Sequence, residues 1–175
     1  MSQSAAVRCI LNTARSFIGL NEKDGSYREI IDLYNSHRPL PRGYAMRYDD
    51  PWCTAFVGAV SIACGLTKIL PPECSAEEMI ALYRAMGRWV EDDAYVPSPG
   101  DLVFFDWEDS GHGDNRGLAD HVGIVCRVHG HSVLVIEGNA GDAVGFREFA
   151  LDSRFIRGWA RPNYTLFSGA TIEKR

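Results

Sequence analysis

Apolar residues recur at helical spacing through the first half of the chain. Between Ser4 and Ile18 they fall at Val7, Ile10, Leu11, Ala14, Phe17 and Ile18, and Gly19 closes the run, which predicts an amphipathic helix. Ser26–Asn35 predicts a second, shorter helix, with Tyr27, Ile30, Ile31 and Tyr34 on one face. His37–Asp50, rich in Pro, Arg, Gly and Tyr, reads as a loop. Asp50-Pro51-Trp52-Cys53 then has the grammar of a helix start, with Asp50 as N-cap, Pro51 in the first helical position and Gly65 as the stop. From Trp52 to Cys64 the residues are apolar or small on every side, so this helix is expected to be buried. Ser75-Ala76-Glu77-Glu78 is a capping box that opens one more helix, running through Met86.

After Pro97 the period changes. Leu102–Phe105, His121–Val128, Ser132–Asn139, Val144–Phe149 and Ile156–Arg161 are short, β-rich runs divided by Gly, Asp and Ser. Helices first and strands afterwards predict an α+β fold, with N-terminal helices packed on a C-terminal antiparallel β-sheet. No repeat, low-complexity tract or linker interrupts the pattern, so residues 1–175 are expected to form a single domain.

Composition narrows the function classes. With 46% apolar and 23% charged residues, the 175-residue chain is neither a disordered nor a membrane sequence. Its longest strongly apolar stretch, Trp52–Cys64, is too short to span a bilayer. A net charge of −5 argues against nucleic acid as a partner. Five cysteines (Cys9, Cys53, Cys64, Cys74, Cys126) with no paired spacing are a poor disulfide framework, which points to synthesis in a reducing compartment. On their apolar faces Cys9, Cys64 and Cys126 read as core residues. The N-terminus has no basic region followed by a long apolar one, so no secretion signal is read and synthesis in the cytoplasm is expected.

Cys53 is the residue with chemical promise. In the first turn of a buried helix it would sit among backbone N–H groups without partners, at the positive end of the dipole, where thiolate is favoured over thiol. The same N–H groups could hold an oxyanion. Position alone fits a small core residue equally well. A nucleophile needs a base, and strand register supplies one. If His129-Gly130-His131 forms a three-residue hairpin loop, Val128 pairs with Ser132, Gly123 lies opposite Glu137, and His121 lies opposite Asn139. His121, Gly123, Glu137 and Asn139 then share one face, with the glycine leaving room for an imidazole and two orienting groups. Under that count, a two-residue loop would put His121 and Glu137 on opposite faces. Two further stretches carry less. Asn21–Ser26 lacks the full calcium-loop pattern and reads as a turn. Gly111–Gly117 is a polar loop ahead of His121 that either gates a cleft or joins strands. His129 and His131 lack the ligand spacing of a zinc site, and no metal or cofactor is expected.

The ordered segments Pro51-Trp52-Cys53-Thr54-Ala55-Phe56-Val57, Pro99-Gly100-Asp101-Leu102-Val103-Phe104-Phe105, Asp120-His121-Val122-Gly123-Ile124-Val125, Ile136-Glu137-Gly138-Asn139 and Gly158-Trp159-Ala160-Arg161-Pro162 resemble the motifs of CHAP domains. These are cysteine, histidine-dependent amidohydrolases/peptidases related to the NlpC/P60 group of the papain-like superfamily. The resemblance runs from about residue 14 to residue 162, leaving 163–175 as a tail. It implies a papain-like fold and cleavage of amide bonds in peptidoglycan: the N-acetylmuramoyl-L-alanine bond, a stem-peptide bond or the cross-bridge. By the same resemblance Cys53 is the nucleophile, His121 the general base, and Glu137 or Asn139 the group that orients the histidine. Papain-type enzymes use an upstream Gln as oxyanion donor. The only Gln here is Gln3, which leaves Tyr48, Arg47 or Asp49 for that side, Tyr48 first. The partner implied is peptidoglycan, with the protein a monomer that acts on the wall after release or export. An immunity protein would be added if the chain is an exported effector rather than a lysin or tail hydrolase. A non-catalytic wall-binding module and a transglutaminase-like acyltransferase are the competing readings.

Overall fold

A computed structural model describes residues 5–110 and 116–166 of the protein. Four helices come first: α1 (Ala5–Ser16), α2 (Arg28–Ser36), α3 (Cys53–Ala63) and α4 (Ala76–Ala85). Six strands follow: β1 (Trp89–Val90), β2 (Leu102–Phe105), β3 (His121–His129), β4 (Ser132–Glu137), β5 (Gly145–Ala150) and β6 (Ile156–Ala160). They form one antiparallel sheet in the order β1-β6-β2-β3-β4-β5. This is the expected α+β arrangement. Only β1, two residues long, has no counterpart in the hydrophobic pattern. Asn21–Ser26 is a turn, closed by Asn21, Asp24 and Ser26 side chains bonding to nearby backbone N–H groups. Most of the loop at 111–117 and of the tail after 163 lies outside the described residues.

The all-apolar stretch becomes α3, buried from Cys53 through Ser61 and packed on α1, α2 and β3. Its C-terminus is a Schellman motif. Gly65 adopts φ 65°, its N–H reaches Ile62 O (3.0 Å), and Leu66 N–H reaches Ser61 O (2.9 Å). The N-terminus departs from expectation. Asp50 does not cap it; its carboxylate instead accepts from Arg47 N–H (2.8 Å) and the Tyr44 hydroxyl (2.7 Å), closing the preceding turn. Pro51 stands two residues before the first helical residue, and Trp52 occupies the cap position without a side-chain capping hydrogen bond. The first turn of α3 is therefore not covered by any side-chain cap. Ser75 caps α4 as expected, accepting from Glu78 N–H at 3.4 Å.

A second correction concerns sulfur. Cys9 of α1 and Cys64 at the end of α3 form a disulfide, with Cα atoms 6.0 Å apart, across a separation of 55 residues. The cysteine count gave no hint of it, because the pairing follows from the packing of two helices rather than from a local motif. Cys53, Cys74 and Cys126 are free.

The two faces of the sheet carry different residues. Leu102, Phe104, Val122, Ile124, Cys126 and Ile136 join the helices in the main core. Val103, Phe105, Val125, Val133, Val135, Ile156 and Trp159 form a second apolar cluster on the other face, flanked by Trp107 and Phe149.

Candidate active site

The β3–β4 hairpin sets the site through two deviations that cancel. His129 pairs with Ser132, so the loop is the two-residue Gly130-His131 and not the three-residue loop expected from the sequence. A β-bulge at Cys126 then adds one residue to β3, after which Val125 faces Val135, Ile124 faces Ile136 and Gly123 faces Glu137. At the site end the register is the one expected, reached by a different route. A two-residue loop alone would have separated His121 from Glu137; the bulge returns them to one face. The ladder stops at Gly123–Glu137. Asn139 lies two residues beyond it in a turn with φ 58°, so it is not a strand partner of His121.

Gly123 leaves the room expected of it. A Cβ there would meet Val135 Cγ1 and would stand 2.8 Å from Glu137 Cγ. His121 is 6% exposed and Glu137 fully buried, and His121 Nε2 stands 3.5 Å from Glu137 Oε2. That distance is long for a hydrogen bond, so the contact is chiefly one of charge. Cys53, itself 4% exposed, interacts with the imidazole of His121. Burial works against a charged imidazole here. The interactions with Cys53 and Glu137 more than offset it, and the His121 pKa rises to about 9. At neutral pH the ring is held as imidazolium.

Glu137 has a second cation, which the sequence analysis did not find. Arg147 Nε lies 2.9 Å from Glu137 Oε2, and the guanidinium sits over the rings of Trp107 (5.5 Å) and Phe149 (5.8 Å). Arg147 pairs with Val135, which makes it the diagonal neighbour of Glu137 on the same face. Extending the parity count by one strand, with Gly145 opposite Glu137, would have found it.

A glycine-dependent contact joins the end of β4 to helix α3. Gly138 passes so close to α3 that a Cβ would meet Phe56 Cβ, and would stand 2.8 Å from Phe56 Cγ and 3.0 Å from Trp52 Cζ3. Trp52, fully buried, donates from Nε1 to Glu22 Oε1 at 2.8 Å, fixing the residue before Cys53. The loop side of the helix start is committed elsewhere. The Tyr48 hydroxyl donates to Asp32 (2.8 Å), and Arg47 pairs with Asp49 and Asp50. Tyr48 and Arg47 are thus engaged elsewhere, whereas the start of α3 has no side-chain cap.

The arrangement can perform nucleophilic acyl chemistry: a sulfur at a helix N-terminus without a side-chain cap, an imidazole interacting with it, and a buried carboxylate beside the imidazole. Two solved structures of Ly7917, one with "the hydrolyzing product of MDP", are similar at 16% identity and a TM-score of 0.44. The similarity covers 89% of this chain and 62% of theirs, so the chain spans less than two thirds of Ly7917. No curated protein matches the chain. The family model for the CHAP domain matches residues 43–139, more than half of the sequence and inclusive of Cys53, His121, Glu137 and Asn139, and the chain therefore belongs to the CHAP-domain family.

Proposed function

We propose that the protein is a peptidoglycan hydrolase that cleaves an amide bond of the cell wall through a cysteine acyl-enzyme. The observation that carries this reading is the chain of contacts from the open N-terminus of α3 through Cys53 to His121 and on to the buried Glu137. Cys53, with its proton already held on His121, attacks the carbonyl carbon as thiolate. The C–S bond forms as the carbonyl electron pair moves to oxygen, where the first N–H groups of α3 receive the charge. Collapse of this intermediate breaks the C–N bond, and the leaving amine takes the proton from His121. Water then attacks the thioester, giving a proton to His121, and the carboxylic acid product leaves as the sulfur is restored. Glu137 orients and charges His121. Asn139, outside the strand ladder, is left to the substrate side. The Cys9–Cys64 disulfide favours work outside the reducing cytosol, as action on the wall after release or export requires.

The test is Cys53→Ala assayed on purified cell walls, with mass spectrometry of the released muropeptides to name the bond cut. The variant should fold with the wild-type melting temperature and release nothing. Wall hydrolysis that survives the substitution rules the mechanism out.

A further inference from the structure

Arg147 has no part in the reading above, yet it is the cation nearest to Glu137. We propose that Arg147 is a positioning residue for the Cys53–His121 pair, acting through Glu137: its guanidinium lends positive charge to that fully buried carboxylate and holds it turned toward the imidazole. The inference rests on the proposed role of Cys53 and His121 and extends it by one residue.

The geometry supports this on three counts. Glu137 is fully buried, and neither of its carboxylate oxygens has an aligned hydrogen-bond donor among the described residues. A carboxylate in that position must find compensating charge or give up its own. The compensation comes from two sides: His121 Nε2 at 3.5 Å and Arg147 Nε at 2.9 Å, both on Oε2. Arg147 is itself held in place, because the same guanidinium lies across Trp107 and Phe149 on the flank of the second apolar cluster. A surface arginine free to wander would give little; one fixed on two rings delivers its charge at a defined point.

The groups facing one another are Cys53 from α3, His121 from β3, Glu137 from β4 and Arg147 from β5. Asp120, next in sequence to His121, turns its carboxylate to Glu108 N–H at 3.1 Å. Removing the Arg147 guanidinium leaves the cluster one unit more negative, so that a proton is withdrawn from the Cys53–His121 pair less readily.

The experiment measures alkylation of Cys53 by iodoacetamide against pH, with each cysteine followed by peptide mass spectrometry, and needs no substrate. It uses the wild type, Arg147→Met, Arg147→Gln and Arg147→Lys, with circular dichroism to establish folding. Both uncharged variants should shift the rising limb of the profile upward by about one pH unit, making alkylation roughly tenfold slower at a fixed pH on that limb. Arg147→Lys, which keeps the charge, should leave the limb where the wild type has it. A folded Met or Gln variant with an unmoved limb overturns the proposal, as does a Lys variant that shifts as far as they do. A purely structural role would lower the rate at every pH without moving the limb. If wild-type Cys53 reacts no faster than Cys74 or Cys126, the reading of the catalytic pair fails and takes the inference with it.

Discussion

The two faces of the sheet differ: one packs on the helices, and the other carries His121 and Glu137 beside a second apolar cluster. Toward the helices the sheet presents Val122, Ile124, Cys126 and Ile136, and the partners on that side are equally apolar. On the other face, the same two strands place His121 and Glu137 at the end of an aromatic cluster that includes Phe105, whose ring is 6.1 Å from the imidazole. Alternation along a strand makes the division possible, since neighbouring residues can serve opposite purposes without competing for space. Within β3 and β4 the buried charge lies on the face where Arg147 and the imidazole can compensate it, and Cys53 comes from the helical layer. Substitutions on the helical face should therefore cost stability and spare the chemistry, and those at the charged end of the other face the reverse.

The largest effect expected from the charged face is that of Glu137→Ala. It removes the group behind the imidazole and leaves His121 and Arg147 as two cations with no anion between them. Wall hydrolysis should fall by about 100-fold, judged by release of soluble fragments. Urea denaturation should show a smaller proportional change, because Arg147, whose side chain is 43% exposed, can turn to water. A variant that melts far below the wild type yet hydrolyses normally would reverse the assignment of the two faces.

On the helical face the counterpart is Ile124→Ala, which empties a fully buried site between sheet and helices. A loss of about 3 kcal/mol is expected from urea denaturation, with the hydrolytic rate of the folded fraction little changed. Paired with Glu137→Ala it forms a crossover test, in which each substitution moves the quantity the other leaves alone.

How much of this could be read from the sequence depended on the range of the interaction involved. Helix α3 was legible because thirteen consecutive apolar or small residues have few other destinations, and the shared face of His121 and Glu137 because period-two alternation is local. The hairpin loop was not: a two-residue turn with a bulge at Cys126 and a three-residue turn without one give the same pairing at Gly123, and the strand pattern cannot separate them. Asp50 had the chemistry of a helix cap but was drawn to Arg47 and Tyr44, a competition decided by loop geometry. Cys9–Cys64 and Arg147–Glu137 depend on how whole elements pack or pair, and neither leaves a mark in its own neighbourhood of the chain.

The junction of the two regions is tested by Gly138→Ala, where the new methyl would press on Phe56 and Trp52 at the start of α3. Overpacking of this kind should cost about 1–3 kcal/mol. Here stability and hydrolysis should fall together, because the strain lands on the helix that carries Cys53. Gly123→Ala should behave differently: its methyl would meet Val135 and Glu137, so the rate should suffer more than the melting temperature.

The gentlest way to separate the faces is pH, because it alters charge without altering shape. The folded-state pKa of His121 is raised from 6.5 to about 9. A raised pKa means that the folded protein holds a proton the unfolded chain releases. Its contribution to stability is complete below pH 6.5, declines as pH climbs through that window, and is lost above about pH 9. The slope from one such group cannot exceed about 1.4 kcal/mol per pH unit. Urea denaturation from pH 6 to pH 10 should therefore show wild-type stability falling across the window. In His121→Gln, which cannot hold the proton, that part of the fall should be absent. Ile124→Ala should run parallel to the wild type at a lower level, since its defect lies on the face that does not titrate. If Ile124→Ala flattened the curve instead, the two faces would be coupled and the division between them would have no energetic meaning.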